Sequence, residues 1–238
     1  MKFSTQALFA LAGYATAEDS SEGPGIRGLK TVKNMLADLS CANGNCVDQK
    51  EYQKTLRGYG CNCFSNDANA DWEGMAVWHF TSRGEPVDEL DNACKEAFKR
   101  YKCLEQDFSS GALSDDTTCM PGMLFEYHVN AAGEIICGPE DNPEYASDAA
   151  SNGCKLASCE IERAFSLRAF ATIGNQMNNS GKKLQFQDSN KKNYEMTCVA
   201  RPGPPRDACC GSYPERKPYS SDLQSCCDNG DVRSFGSC

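Results

Sequence analysis

Apolar positions along this chain fall three times into a helical rhythm. Leu29, Val32, Leu36 and Leu39 recur at three- and four-residue steps, the spacing that lines one face of an α-helix and predicts an amphipathic helix with one buried stripe. Leu90, Cys94, Ala97, Phe98 and Tyr101 repeat the pattern, and Asp88 with Asp91 one turn on predicts the cap that starts this second helix. A third run, from Cys154 to about Gly174, puts Ile161, Ala164, Phe165 and Ala169 on one face. Between the second and third runs, Leu124–Asn130 and Glu134–Cys137 flank Asn130-Ala-Ala-Gly133, which predicts a β-hairpin closed by a glycine turn.

Polar stretches separate these elements. Residues 18–28 are acidic and carry Gly and Pro, the composition of a flexible leader. Residues 64–84 form a long polar loop holding Trp72 and Trp78, and 175–197 read as loop. Arg201-Pro-Gly-Pro-Pro205 is a stiff linker. The expected organisation is a signal over 1–17, the leader over 18–28, one domain over 29–198, a Pro-rich linker over 199–206 and a Cys-rich tail over 207–238.

Composition narrows the setting. Lys2, the short apolar run from Ala7 to Gly13 and Ala15-Thr-Ala17 have the layout of a secretory signal with a small-x-small cleavage site. The apolar run is too short to span a bilayer, so a secreted, extracellular protein with no integral membrane association is expected. Sixteen cysteines in an exported chain imply disulfides. A zinc module would need CxxC pairs or histidines at ligand spacing, and the two histidines, His79 and His128, have no such neighbours. A net charge of −9 argues against nucleic acid and anionic membranes as partners. Asn178 opens the one N-glycosylation sequon.

The run Tyr59-Gly-Cys-Asn-Cys63, then Pro86-Val-Asp-Glu-Leu-Asp91 and a cysteine-bearing helix, resembles the heart of the secreted phospholipase A2 family. Cys159-Glu-Ile-Glu162-Arg163-Ala164 resembles that family's third-helix run, and the hairpin ending in Ile136-Cys137 resembles its β-wing. The resemblance covers about 29–198. It implies a mainly α, disulfide-rich fold: an amphipathic N-terminal helix, two long antiparallel helices and a small β-hairpin wing, here followed by a loop-rich, disulfide-stapled tail.

The departures carry the functional reading. The family's second helix bears a catalytic His-Asp pair, the aspartate binding calcium, and here Ala97 and Phe98 stand at those positions. Neither side chain takes a proton or ligates a cation. The supporting aspartate of the third helix becomes Glu162, and the glycine-rich calcium loop becomes Phe64-Ser-Asn-Asp-Ala-Asn-Ala-Asp71. Two family disulfides that clamp the helices map to Ala93 with Arg168 and to Arg100 with Ile161, so both halves of both are lost together. The resemblance leaves Cys63–Cys94, Cys119–Cys154 and Cys137–Cys159, with Cys61 reaching Cys198. Packing of Leu90, Phe98, Ile161 and Phe165 is then expected to hold the helix pair. With five tail cysteines and eleven upstream, full oxidation requires a bridge between domain and tail.

Other candidates weigh less. Asp67-x-Asn69-x-Asp71 imitates the start of an EF-hand loop, but Trp72 and Trp78 occupy the positions that need Gly and Glu. A solvated acidic loop fits better. His128 reads as a cross-strand packing residue. Trp78 and His79 belong to a small satellite core or to a contact patch, and the 64–84 loop with Trp72 and Trp78 is a candidate contact surface. Ser65 and Ser166 lack a nucleophile-elbow context. The tail, with Tyr213 and Tyr219, is either a staple on the domain or an extracellular contact module; such tyrosines suit interfaces. The expectation is a non-enzymatic secreted structural or interaction protein without a cofactor, built from an inactive phospholipase A2-like scaffold. Its partners are other protein subunits, self-assembly included. A calcium- or mineral-associated acidic matrix protein, a lipid binder and, last, an active calcium-dependent lipase are the alternatives.

Overall fold

The computed structural model describes residues 24–64, 84–109, 125–142, 145, 149–177, 198–199 and 203–238. Four helices, α1 (Pro24–Ala42), α2 (Gln49–Leu56), α3 (Glu89–Ser109) and α4 (Ala149–Met177), carry the body. Three two-stranded antiparallel sheets complete the described elements: β1 (Tyr127–Val129) with β2 (Ile135–Cys137), β3 (Ala208–Cys210) with β4 (Lys217–Tyr219), and β5 (Gln224–Cys226) with β6 (Val232–Ser234).

The fold is helical and disulfide-rich, centred on α3 and α4. These run antiparallel, because Glu89 meets Arg168, Tyr101 meets Glu162, and Phe108 lies beside Gly153. The expected stripe on α3 is buried at Leu90, Cys94, Ala97 and Tyr101, and Leu104 extends it. It packs on Ile161, Phe165, Ala169 and Ile173 of α4. Helix α1 lies across α4 and joins two cores. Val32 and Leu36 belong to the main cluster, whereas Met35 and Leu39 pack with Ile135 and Cys159 under the hairpin.

The hairpin forms in the expected place. Asn130 Oδ1 accepts from the amides of Ala132 and Glu134, and Gly133 adopts φ 81° where the chain reverses. Cys137–Cys159 ties the hairpin to α4, and Tyr127 donates to Asp38 of α1 at 2.8 Å.

Several boundaries differ from the sequence reading. Helix α1 begins at Pro24, inside the expected 18–28 leader; proline suits a first helical turn, where its missing N–H has no partner to lose. Helix α4 runs from 149 to 177 rather than from Cys154 to Gly174. Helix α2 was not foreseen. Its signals are local: Asp48 Oδ1 accepts from the Lys50 amide at 2.7 Å as N-cap, and Tyr52 and Leu56, one turn apart, are buried. The tail is more regular than a loop-rich module, with two strand pairs joined by Cys210–Cys226 and an end pinned by Cys227–Cys238.

Candidate functional site

Three polar constructions are built on the helix pair. The first sits in the α3–α4 seam, where the resemblance places the family's chemistry. Ala97 is 1% exposed and its methyl group belongs to the main core. Phe98, next on α3, is half-buried against that core, with Lys102 Nζ 5.8 Å from its ring centroid. One turn beyond Ala97, the Tyr101 hydroxyl donates to Glu162 Oε1 at 2.7 Å. Both residues are buried, and Glu162 Oε2 has no hydrogen-bond partner among the described residues.

Burial governs the electrostatics. It pushes the Glu162 carboxyl up to about 8, against the opposing pull of the Tyr101 hydrogen bond, so the acid is neutral at pH 7. Burial and then the Glu162 charge hold the Tyr101 phenol well above its ordinary range. A second acid–phenol pair lies alongside. Burial raises Asp38, and burial with the Asp38 charge raises Tyr127, which also feels Glu162. The neighbourhood of the seam is thus lined by two phenols and two reluctant carboxyls. Burial here favours the protonated form of each of the four. On the same side of α4, Ser158 and Ser166 are buried at one-turn steps from Glu162; the Ser166 hydroxyl donates to the Met35 sulfur at 3.6 Å.

The second construction fixes the segment before the helix. Asp88 caps α3, accepting from the Asp91 amide at 2.9 Å, while the Tyr59 hydroxyl donates to the other Asp88 oxygen. Asp91, fully buried, does not return the capping bond to Asp88. Its Oδ2 accepts from the amides of Cys61 and Val87 and from Asn62 Nδ2, each at 3.0 Å, and its Oδ1 from the Asn62 amide at 2.7 Å. Cys61–Cys198 and Cys63–Cys94 brace the same turn.

The third is the docking of the tail on α3. Cys103–Cys209 is the domain–tail bridge that cysteine arithmetic required. Around it, Arg100 pairs with Glu215 at 3.0 Å, Gln106 Nε2 donates to the Asp207 carbonyl at 2.6 Å, and Asp107 receives Arg216 at 2.5 and 2.8 Å. The Tyr213 hydroxyl also donates to Asp107, at 2.9 Å, and its ring packs on the main core. Tyr213, for which a staple and a contact for other subunits both stand open in the sequence, is engaged within its own chain. Tyr219 sits half-buried in β4, opposite Ala208.

The remaining candidates divide as follows. Cys63 is bonded to Cys94, Cys137 to Cys159 and Cys61 to Cys198, and Cys41, which had no assigned partner, to Cys46. Cys154 is disulfide-bonded; Cys119, its partner by resemblance, lies outside the described residues, as do Asp67, Asn69, Asp71, Trp72, Trp78, His79, Asn178 and the 1–17 signal. The positions to which the resemblance assigns two absent clamps are filled by other means. Ala93 and Ile161 are buried in the core, Arg168 pairs with Glu89 across the helices at 2.5 Å, and Arg100 turns to the tail. His128 pairs across the hairpin with Ile136, and its Nδ1 contacts the Gly138 carbonyl at 2.9 Å. Among the described residues no group of three or more His, Cys, Asp or Glu side chains is placed to hold a metal ion, and no helix is long and apolar enough to cross a membrane.

Fold and site together define a helical, disulfide-rich protein whose tail is bonded to its helical core. No protein-family model and no curated protein matches the chain.

Proposed function

We propose that this chain is a secreted, non-enzymatic structural or interaction protein, built on a phospholipase A2-like scaffold from which the chemistry has been removed. One observation carries the reading. Across the seam from Glu162, the position that resemblance assigns to a catalytic base is the methyl group of Ala97, packed in the core. The acid that would orient such a base is instead neutral and closed on Tyr101. A methyl group and a benzyl ring transfer no proton and polarise no ester. Bridges, buried Asp91 and docked tail support a rigid body suited to a matrix, coat or filament.

The test is a lipolysis assay on oxidised protein with millimolar calcium beside an active secreted phospholipase. No fatty-acid release is expected. Release that disappears in Glu162→Gln would overturn the reading. Sedimentation of native, non-reduced material then tests the structural role, and the expected result is an assembly larger than the monomer.

A further inference from the structure

The tail is a small unit with its own staples, held to the body along one face of one helix. Cys210–Cys226 and Cys227–Cys238 close it internally. Its contacts with Arg100, Cys103, Gln106 and Asp107 follow the outer side of α3, away from the stripe that faces α4. Leading into it, Gly203, Pro204, Pro205 and Arg206 are exposed, and Asp207, also exposed, offers the carbonyl that accepts from Gln106.

That connection is longer than it needs to be. Cys198 is fastened to Cys61, whose amide bonds to Asp91 in the first turn of α3. Cys209 is fastened to Cys103 on the same helix, and the helical rise from Asp91 to Cys103 is about 18 Å. Extended, the chain from Cys198 to Cys209 reaches roughly 36 Å. The contour length exceeds that rise, so chain length alone does not confine the tail to the docking face of its own body rather than an adjacent one.

We propose that the Cys103 face of α3 is an exchange site for the tail of a second copy of this chain, each copy placing Cys209, Tyr213 and Arg216 on the other's Cys103 and Asp107. The occupant is a second copy because this face is already matched to the tail: a two-pronged Arg216–Asp107 pair, a phenol on the same carboxylate and a facing cysteine. Exchange requires no new surface, which makes it a low-cost route from monomer to assembly. Attachment through a short linker gives the intramolecular arrangement an effective concentration of about a millimolar. The exchanged form therefore belongs to crowded deposits rather than dilute solution. This inference rests on the structural role proposed above and supplies its contact.

The covalent step balances without a net oxidant. A small-molecule thiolate attacks Cys209 Sγ, forming a mixed disulfide and releasing the Cys103 thiolate. The Cys103 thiolate of the other copy attacks that mixed disulfide at Cys209 Sγ and expels the small thiolate. Two bridges within chains become two between chains.

Complementary variants test it. Cys103→Ser retains only the tail cysteine of the pair and Cys209→Ser only the body cysteine, so neither can form the bridge alone. One is labelled with heavy nitrogen, and the two are mixed in a glutathione redox buffer. The expected product is a covalent heterodimer whose proteolytic fragments contain Cys103 from one chain bonded to Cys209 from the other. No heterodimer, or one linked through other cysteines, overturns the proposal. Light and heavy wild-type protein, mixed in the same buffer, guards against misfolded variants. Hybrid Cys103–Cys209 fragments should rise with protein concentration towards the millimolar range, and their absence there also overturns it. Should hybrids be absent while native material still sediments as an assembly and lipolysis is negative, the structural role stands and the exchange alone falls.

Discussion

Tyr101 and Glu162 meet across the α3–α4 seam with a 2.7 Å hydrogen bond from phenol to carboxyl, both buried, and no cation joins them among the described residues. A carboxyl in such a place is tolerated because it keeps its proton. The titratable groups gathered around it among the described residues are Tyr101 on α3, Tyr127 on β1 and, behind Tyr127, Asp38 on α1. The result is an interior that is stable while protonated.

Stability should therefore fall as pH rises. The Glu162 carboxyl titrates at about 8 in the fold against 4.5 unfolded, so between those values the folded state holds one proton more than the unfolded state. Its contribution is fully present below pH 4.5 and lost progressively as pH climbs to 8, with a slope of about 1.4 kcal/mol per pH unit. Glu162→Gln keeps an acceptor for Tyr101 and removes the titration. Urea unfolding at pH 6 and pH 8.5 should show the drop in the natural protein and a much flatter profile in the variant. Equal profiles would show that the acid is not protonated in the fold.

Asp91 is the single most connected carboxylate on α3, accepting from four N–H groups. Asp91→Ala would leave those buried donors unpaired and should cost at least about 3 kcal/mol. Gly60→Ala attacks the same place from the other side. Gly60 holds φ +59°, and a Cβ there would lie 2.4 Å from the Asp91 carboxyl. Thermal unfolding of both variants should show large, similar losses that do not add in the double variant.

Disulfide removal should be strongly non-additive. With Cys63–Cys94 and Cys103–Cys209 in place, Cys61–Cys198 closes only a short ring through α3 and the linker. Cys61→Ser/Cys198→Ser and Cys103→Ser/Cys209→Ser should each cost less than the roughly 5 kcal/mol of a loop of more than a hundred residues. Removing both pairs leaves the tail joined to the body by the peptide linker alone, with neither bridge to limit the unfolded chain, and the loss should exceed the sum of the two. Denaturant midpoints of the three variants check this.

The tail should stay on α3 through its polar contacts when the bridge is intact, and loosen when Asp107 is neutralised. Asp107→Asn weakens bonds from both Arg216 and Tyr213, and the expected loss is about 1–3 kcal/mol. Hydrogen exchange should speed up at Ala208–Tyr219 while α4 is unaffected. Unchanged exchange would mean that the bridge alone holds the tail.

The helices α1, α3 and α4 and the hairpin were legible because each buries one periodic stripe and carries its own start or turn signal: Asp88 for α3, Asn130 and Gly133 for the hairpin. Helix α2 was missed because its sequence, Gln49–Leu56, is mostly polar and only Tyr52, Thr55 and Leu56 are buried. Its Asp48 cap was the available clue. Glu162 was flagged from the resemblance, yet its partner Tyr101 had been assigned only to an apolar stripe. The sequence leaves Tyr213 open between a staple and an outward contact, because a tyrosine that suits an interface does not reveal whose interface it is; in the fold it meets Asp107 of its own chain.

Local order in this protein follows from what each residue meets a few positions away, and that much the chain carries by itself: helix stripes, caps, the hairpin turn, the even set of cysteines, and the alanine and phenylalanine at positions 97 and 98. Which groups from distant segments share an environment was decided only by packing. Burial between α3 and α4 turns Glu162 into a neutral acid, and α3's second face receives Arg216, Tyr213 and Cys209 from more than a hundred residues away. Both outcomes depend on desolvation and on distances across the fold, and neither is a property of a residue's sequence neighbours.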